Sequence, residues 1–304
     1  MELLPPGTHY LDLEHQSRRR RYMVHVPSTG QPPYPVVLGF HGAGGTARIM
    51  LHHSRWSHHA ELQGFVVVAP QGTPPKPDEK PTFRFNPQLW NLGSPALATM
   101  THQADDVGFV RAILDALPKQ VNIDPRRTYA TGFSNGAGLT FLLAAEMGDR
   151  LAAISPVAGL PSVQMGKPSR PIPTYCFYGS LDPLVPWNGG EVTSPWSDKS
   201  SIRPAVLETI QRWTHDSGFE LSHQILQTND ALEEVQLGKA PTSAEMRYTL
   251  IHGLGHHWPG GKDVGVPVEI LGPRIKTIDA TERIWGFFQR YRLKEPGVRS
   301  QEPE

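Results

Sequence analysis

Short apolar runs alternate along this chain with longer segments in which apolar residues recur every three or four positions. The runs at 36–40 and 65–69 are rich in valine and lack polar alternation, which is typical of parallel strands covered on both faces. Similar runs predict strands at 128–132, 153–157, 172–178 and 247–251, and an opening antiparallel pair at 10–13 and 22–26.

The segments between the runs have the spacing of helices. Val107, Val110, Ile113, Leu114 and Leu117 follow an i, i+3, i+4 rhythm behind two aspartates that suit a helix N-terminus. Further helices are predicted at 135–147, at 204–215 with a proline in the first turn, and at 278–291. Strands that alternate with helices predict an α/β fold, a mostly parallel central sheet with helices on both faces.

The pattern predicts a single domain over residues 1–304. No internal repeat or low-complexity linker interrupts the chain, and its length suits one large α/β domain. The ordered core is expected at about 8–292, and 293–304 is a polar tail. Proline-rich or charged stretches at 72–81 and 186–201 predict surface loops.

Composition narrows the class of protein. Lys and Arg together number 29, and so do Asp and Glu together, so the formal net charge is zero. A neutral chain argues against a general nucleic-acid binder, despite the basic run at 18–21. The single cysteine, Cys176, excludes an intrachain disulfide and a cysteine zinc cluster.

No run approaches the ~20 apolar residues of a membrane helix, and no leader is visible. We therefore expect a cytoplasmic protein, or a secreted one if a leader was removed.

A G-x-S-x-G string stands where a predicted strand meets a predicted helix. Residues 132–136 read Gly-Phe-Ser-Asn-Gly. This is the context of a nucleophile elbow, a sharp strand-to-helix turn that lifts a serine into solvent and needs glycines because side chains would block it. The helix N-terminus also directs its dipole at developing negative charge. We expect Ser134 to be a nucleophile rather than a surface serine at a helix cap.

A glycine-rich turn, 41–45 (HGAGG), follows the strand at 36–40. Backbone N–H groups in such a turn can face a substrate carbonyl, and acyl transfer needs two donors for its oxyanion, each worth roughly 2.7–4 kcal/mol. The expected donors are the N–H of Ala43, or of its neighbour Gly44, and the N–H of Asn135. No G-K-[ST] follows, so a phosphate-binding loop is not predicted.

Two polar residues follow later strands. Asp182 comes just after the strand at 172–178, and His256 just after the strand at 247–251. The carboxyl ends of strands are where open α/β sheets place ligands. The chain order Ser134, Asp182, His256 is the order of an α/β-hydrolase triad, with His256 preferred to its neighbour His257.

These stretches resemble a known family. The chain is similar to the polyhydroxybutyrate depolymerase-like and feruloyl esterase-like α/β-hydrolases of the carbohydrate-esterase type. The similar stretches are 41–46, 90–91, 105–111, 122–138, 152–159, 179–190 and 253–261.

The resemblance implies an α/β-hydrolase fold and hydrolysis of esters without a cofactor. It implies a triad of Ser134, Asp182 and His256, and an oxyanion hole from the main chain at Ala43 and Asn135. The expected substrate is a short-chain or aryl (feruloyl-type) ester, or a small hydroxyalkanoate ester, and the protein is expected to be a monomer or a homodimer. An acyltransferase, a peptidase and a non-catalytic carbohydrate- or lipid-binding homologue are the alternatives.

Aromatic residues near the predicted triad are candidates for substrate binding. Trp258 lies two residues after His256 and Trp187 five after Asp182, and aromatic rings there would suit an aryl or hydrophobic acyl group. Loop packing is an equal alternative for Trp90 and Trp196. The predicted substrate-binding set is His41, Gly42, Trp90, Trp187 and Trp258.

Two clusters of metal-binding residue types are not predicted to bind a metal. Asp105 and Asp106 are interpreted as helix caps. Histidines stand in adjacent pairs at 52–53 and 58–59, and neighbours in a helix point apart. We expect solvated or packed imidazoles at these four positions.

Overall fold

The computed structural model describes residues 3–162, 164–196, 200–276 and 278–294. Within these ranges, ten strands form one sheet in the order β1-β2-β4-β3-β5-β6-β7-β12-β11-β10, and β8 and β9 form a separate hairpin. The strands are β1 Gly7–His15, β2 Arg18–Val26, β3 Tyr34–Phe40, β4 Val66–Pro70, β5 Ile123–Phe133, β6 Ala153–Val157, β7 Thr174–Gly179, β8 Gly190–Thr193, β9 Ser200–Arg203, β10 Glu220–Thr228, β11 Leu232–Lys239 and β12 Glu245–Ile251.

The centre of the sheet is parallel and its edges are antiparallel. Strands β4, β3, β5, β6, β7 and β12 run side by side in one direction. The β1–β2 pair extends one edge and β11–β10 the other, in antiparallel pairing. The predicted α/β fold with a mostly parallel sheet is confirmed.

Helices cover both faces of the sheet. They are α1 Ala47–Ser54, α2 Trp56–Gln63, α3 Pro95–Met100, α4 Asp106–Ala116, α5 Asn135–Met147, α6 Val206–Asp216, α7 Val268–Leu271 and α8 Ala280–Phe288, with 3₁₀ turns at Leu117–Lys119 and Gly148–Arg150. In β3, Val36 and Leu38 pack into the core beneath α4, α5 and α6, whereas Val37 packs into the core beneath α1, α2 and α8. This two-sided burial explains the unbroken apolar strands.

Some predicted bounds differ from the structure. Helix α6 begins at Val206 after the N-cap Ala205, so Pro204 precedes the helix instead of lying in its first turn. The loop predicted at 186–201 contains β8 and the start of β9. The helix predicted at 278–291 is shorter in the structure. Asp279 caps its start, because the Asp279 side chain accepts a hydrogen bond from the Glu282 N–H, and the helix ends at Phe288.

The described structure ends two residues beyond the core predicted at about 8–292. The polar tail predicted at 293–304 lies outside the described residues from 295 onward. Leu293, however, packs against the core, and its N–H donates to the Arg126 carbonyl at 2.9 Å. The ordered part therefore continues past the predicted boundary at 292.

Candidate active site

Ser134 stands on the turn that joins β5 to α5. Its backbone has φ +55° and ψ −117°, a left-handed φ that a residue with a side chain adopts only when its surroundings impose it. The Ser134 N–H donates to the Val157 carbonyl at 2.9 Å, and the Ser134 carbonyl accepts from the N–H groups of Ala137 and Gly138. The turn is thus held by the neighbouring strand and by the first turn of its own helix.

The two glycines of G-x-S-x-G are required by close backbone approach. A Cβ on Gly132 would lie 2.2 Å from the Gly136 carbonyl oxygen, and a Cβ on Gly136 would lie 2.3 Å from the Phe40 carbonyl oxygen. Both neighbours are main-chain atoms, so neither can move aside as a flexible side chain would. The tight strand-to-helix turn therefore depends on these glycines.

Asp182 and His256 form a buried hydrogen-bonded pair. The Nδ1 of His256 lies 2.7 Å from Oδ2 of Asp182, and both side chains are almost fully buried. The other carboxylate oxygen, Oδ1, accepts from the N–H groups of Leu184 and Val185, each at 2.8 Å. The carboxylate is therefore fixed as an acceptor, which favours the tautomer with the proton on Nδ1 and leaves Nε2 available.

The neighbouring histidine is placed differently. His257 Nε2 lies 3.0 Å from the Gly272 carbonyl oxygen, and burial is the main cause that lowers its pKa. Asp182 thus pairs with His256, as the sequence predicts, and not with His257.

Ser134 and His256 line the same cavity of about 490 Å³. Within the described ranges, no hydrogen bond joins the Ser134 hydroxyl to the imidazole. The ring of Phe133, the elbow residue before Ser134, packs against the His256 ring with centroids 4.8 Å apart. Hydrogen bonds between catalytic groups often tighten only once substrate is bound.

Ala43 lines the same cavity as Ser134, and Asn135 follows Ser134 in the sequence. In the described part of the chain, the N–H groups of Ala43 and Asn135 donate to no acceptor, and Asn135 is the first residue of α5. The Gly44 N–H, the alternative to Ala43, donates to the Gln88 carbonyl at 2.9 Å. Ala43 and Asn135 therefore have the free donors that an oxyanion site requires.

His41 supports the glycine-rich turn from beneath. Its Nδ1 lies 2.8 Å from the Gly42 carbonyl, and its Nε2 accepts from the Gly72 N–H at 3.0 Å and lies 3.1 Å from Gln71 Nε2. Burial lowers its pKa to about 4. His41 and Gly42, both predicted to bind substrate, border the cavity, but His41 is only 1% exposed.

Comparison with known proteins decides the family. The model of the family described as Phospholipase/Carboxylesterase matches residues 22–227, which is more than half of the chain. The chain belongs to this family of esterases. The predicted ester-hydrolase class is thereby confirmed.

Individual relatives of this esterase agree with that class. It is 31% identical over 266 residues to a protein of Nocardia uniformis subsp. tsuyamanensis named Putative esterase NocK, and the match covers 80% of this chain and 72% of the relative. It is 31% identical over 178 residues to Feruloyl esterase B of Piromyces equi, which is 56% of this chain and 31% of that protein. The match therefore spans less than a third of the length of that feruloyl esterase.

A solved structure shares the fold of this esterase. The acetyl xylan esterase from Aspergillus awamori superimposes with a TM-score of 0.60 over 92% of this chain and 99% of that chain, at 15% sequence identity. At that identity the likeness concerns the fold alone. None of the helices in the described ranges of the esterase is long and apolar enough to cross a lipid bilayer.

The three tryptophans predicted to bind substrate lie elsewhere in the esterase. Trp258 is 2% exposed and its Nε1 donates to Thr281 Oγ1, and Trp90 is fully buried and its Nε1 donates to the His41 carbonyl. Trp187 packs against the rings of two tyrosines, Tyr178 and Tyr248. None of the three belongs to the cavity wall of the described chain, whereas Trp196 does.

The cavity wall contains residues that sequence reasoning missed. They come from α1, from the loop between β4 and α3 and from the loop that contains α7, and the side chains among them are mainly apolar. The wall includes Ile49, Met50, His53, Phe83, Arg84, Val264, Val266, Pro267, Ile270 and Leu271. Three of them lie on helix α1, but a helical period does not show which cavity a helix borders, so only the position of these segments in the fold reveals them.

The remaining polar candidates have structural partners. Asp105 is the N-cap of α4, and its Oδ1 accepts from the Gly108 N–H at 2.7 Å. Asp106 forms a buried ion pair with Arg20 at 2.7 Å, and burial raises its pKa although Arg20 opposes the shift. His59 lies 3.2 Å from the Asp279 carboxylate. In the described structure, helix capping explains Asp105, and pairing with a group of opposite charge or with a carboxylate explains Asp106 and His59.

Proposed function

We propose that this esterase, as one catalytic domain over about residues 8–292, cleaves carboxylic esters through an acyl-serine intermediate at Ser134. The observation that carries the proposal is the cavity lined by both Ser134, on a strained elbow, and His256, whose imidazole is hydrogen-bonded to the buried Asp182. In this arrangement a serine, a base and a group that orients the base stand in the chain order of an α/β-hydrolase.

The reaction proceeds in two halves. The Ser134 hydroxyl turns toward His256 and attacks the ester carbonyl, while Nε2 takes the hydroxyl proton. The tetrahedral intermediate collapses, the C–O bond to the alcohol breaks, and the imidazolium returns that proton to the leaving alcohol. Water then attacks the acyl-serine with His256 again as base, which releases the carboxylic acid and restores Ser134. Asp182 stabilises the imidazolium in both halves.

The oxyanion of each tetrahedral intermediate is bound by the N–H groups of Ala43 and Asn135. Both N–H groups lack an acceptor in the described chain, so they need not exchange partners as charge develops. The Asn135 side chain holds the main chain of Trp90 through two hydrogen bonds, at 2.8 and 3.3 Å. The Trp90 indole in turn donates to the His41 carbonyl at 2.8 Å. Trp90 therefore connects the turn at 41–45, which contains Ala43, to Asn135.

We propose short-chain or aryl esters, or small hydroxyalkanoate esters, as substrates. The cavity volume of about 490 Å³ lies within the usual range for small-molecule sites, roughly 300–1,000 Å³. Its wall includes the rings of Phe83 and Trp196, which pack with centroids 5.6 Å apart. The name of the Piromyces equi relative, a feruloyl esterase, supports the aryl option.

The proposed nucleophile is tested by two matched serine variants. Ser134→Ala should lower turnover of p-nitrophenyl acetate by at least about 10³-fold, because no acyl-enzyme can form. Ser201→Ala, on the exposed strand β9, should keep the wild-type rate. A Ser134→Ala enzyme with wild-type turnover would disprove the proposal.

The substrate class is tested by a panel of p-nitrophenyl acyl esters, methyl ferulate and hydroxybutyrate oligomers. The proposal predicts turnover of at least one of these ester types. Adding an alcohol acceptor and analysing products separates hydrolysis from acyl transfer, since a transferase would form the new ester. No turnover on any member would contradict the assignment of substrate class.

A further inference from the structure

One side chain in the cavity wall carries a full positive charge. Arg84 is exposed and borders the cavity. Besides Arg84 and histidines, the wall residues in the described chain are uncharged, and none is an aspartate or a glutamate. The cavity in front of Ser134 is therefore apolar over most of its wall, with a single guanidinium at its border.

The turn that carries Arg84 is well braced. The Oγ1 of Thr82 accepts from the N–H groups of Phe85 and Asn86, at 3.2 and 3.0 Å, and a β-bridge joins Thr82 to Asn86. The buried amide of Asn86 accepts from the Lys76 N–H and donates to the Lys76 carbonyl, both at 2.9 Å. The position of Arg84 is thus set by a hydrogen-bonded turn.

A second contact holds this turn at the cavity. The indole Nε1 of Trp196 donates to the Phe83 carbonyl at 2.7 Å. Gly44, in the glycine-rich turn, packs so closely beneath Phe83 that a Cβ there would lie 2.7 Å from Phe83 Cδ2. The segment with Arg84 therefore packs against the glycine-rich turn that contains Ala43.

Arg84 has no carboxylate partner in the described chain. Two acidic residues, Glu79 and Asp263, are paired with other cations, Lys76 at 3.2 Å and Arg274 at 2.7 Å, and no ion pair joins Arg84 to the exposed Asp78 in the described chain. The guanidinium carbon lies 5.7 Å from the centroid of the Phe85 ring. Its donors are therefore available to a molecule in the cavity.

We propose that Arg84 binds a carboxylate carried by the substrate in addition to its scissile ester, which makes monoanionic esters the preferred substrates. This inference rests on the proposed function of Ser134. A guanidinium can hold a carboxylate with two parallel hydrogen bonds. Because Arg84 is exposed and water screens it, the expected gain is modest, about three- to fivefold in kcat/KM, as for solvent-exposed ion pairs.

The test compares esters that differ only in a terminal methyl or carboxylate group. On the acyl side, p-nitrophenyl octanoate is paired with the mono-p-nitrophenyl ester of suberic acid. On the alcohol side, 4-methylbenzyl acetate is paired with 4-(acetoxymethyl)benzoate. In at least one pair, Arg84→Gln should lower kcat/KM for the anionic member about three- to fivefold, mainly through KM, and leave the neutral member unchanged.

Two controls make the result specific. Arg48→Gln removes an equal charge from the exposed face of α1, one residue from a wall residue, and should change neither member. Arg84→Lys should restore part of the preference, since it keeps the charge but loses the bidentate geometry. The preference of the wild type should also shrink as salt is raised.

The outcomes separate the two proposals. If the wild type hydrolyses the neutral esters through Ser134 but Arg84→Gln affects both members of each pair equally, the carboxylate proposal is wrong and the serine mechanism stands. If Arg48→Gln has the same effect as Arg84→Gln, general electrostatics explain the preference and the proposal also fails. If Ser134→Ala leaves turnover of all four esters unchanged, the proposed function itself is contradicted.

Discussion

Asp182 illustrates how single residues shape the proposed site. Its two carboxylate oxygens have separate tasks: one accepts from two backbone N–H groups and the other from His256. The first contact fixes the carboxylate in the protein, and the second fixes the tautomer of the base. The function of His256 in the proposed mechanism therefore depends on a residue that does not touch the substrate.

Asp182→Asn should separate these tasks. The amide oxygen can still accept from the two backbone N–H groups, but the amide nitrogen would face His256 and favour the wrong tautomer. We expect kcat for p-nitrophenyl acetate to fall on the order of 10⁴-fold, with little change in melting temperature. Asp78→Asn, in an exposed loop, serves as the matched control. If the kcat of the Asp182→Asn variant were within threefold of the wild-type value, this would argue against Asp182 as the triad acid.

The candidate triad was predictable from the sequence, but the substrate contacts were not. Ser134, Asp182 and His256 each follow a strand and keep a recognisable chain order, and the structure brings Asp182 and His256 into contact. Whether a loop tryptophan faces a cavity or the core depends on tertiary packing. Trp258, predicted to bind substrate from its position two residues after His256, is buried, whereas Trp196, for which loop packing was an equal alternative, lines the cavity.

The elbow is an element in which backbone geometry determines function. Strand β5 and helix α5 meet at Ser134, and Gly132 and Gly136 permit main-chain atoms to approach within distances that no side chain tolerates. The N-terminus of α5 also supplies the free Asn135 N–H. A single turn thus positions both the proposed nucleophile and one proposed oxyanion donor.

Gly132→Ala should disrupt this turn. Its Cβ would meet the Gly136 carbonyl oxygen at 2.2 Å, and such overpacking costs about 1–3 kcal/mol of unfolding free energy. Gly286→Ala is the matched control, because its Cβ meets nothing within 4 Å in helix α8, and it should stabilise by about 0.5–1 kcal/mol. Urea denaturation and turnover measure both variants. Wild-type stability and activity in Gly132→Ala would contradict this account of the elbow.

At the level of elements, the sequence predicted the buried parts better than the exposed ones. The parallel strands and helix α5 were recognisable because burial on both faces demands uninterrupted apolar residues. The edge strand β10 is exposed along its whole length, so it shows no hydrophobic pattern. Helices α1 and α2 were not delimited, since each has only eight residues, fewer than the ~11 over which a helical period is recognised.

The molecule as a whole combines these parts around one cavity. The two faces of the sheet are each covered by a large apolar core, and the cavity forms where the loops after β3 and β5 meet the loops from later in the chain. Because burial keeps the imidazole of His41 neutral, the stability of the folded protein depends on pH.

The free energy of unfolding should fall as pH is lowered from 6.5 to 4. Burial lowers the pKa of His41 from 6.5 to about 4, so between these values the unfolded chain takes up a proton that the folded protein does not. The stabilisation is complete above pH 6.5 and lost toward pH 4, by about 3 kcal/mol for this group. A proton on Nε2 would also face the Gly72 N–H that now donates to it.

Urea unfolding at several pH values tests this dependence. His41→Gln should flatten the pH slope, although part of it remains because burial also lowers the pKa of His53, to about 3. His52→Gln removes the exposed imidazole next to His53 in the sequence and should leave the pH slope of the unfolding free energy unchanged. A slope equal in the wild type and in His41→Gln would show that His41 is not the group responsible.

The central claim is that Ser134 is the residue that carries the acyl group. Its most direct test is to label the protein with a fluorophosphonate serine probe and to locate the label by peptide mass spectrometry. The mechanism predicts stoichiometric labelling of Ser134, loss of ester hydrolysis in step with labelling, and no labelling of the Ser134→Ala variant. A label on a different residue, or full ester hydrolysis by the wild type with Ser134 unlabelled, would contradict it.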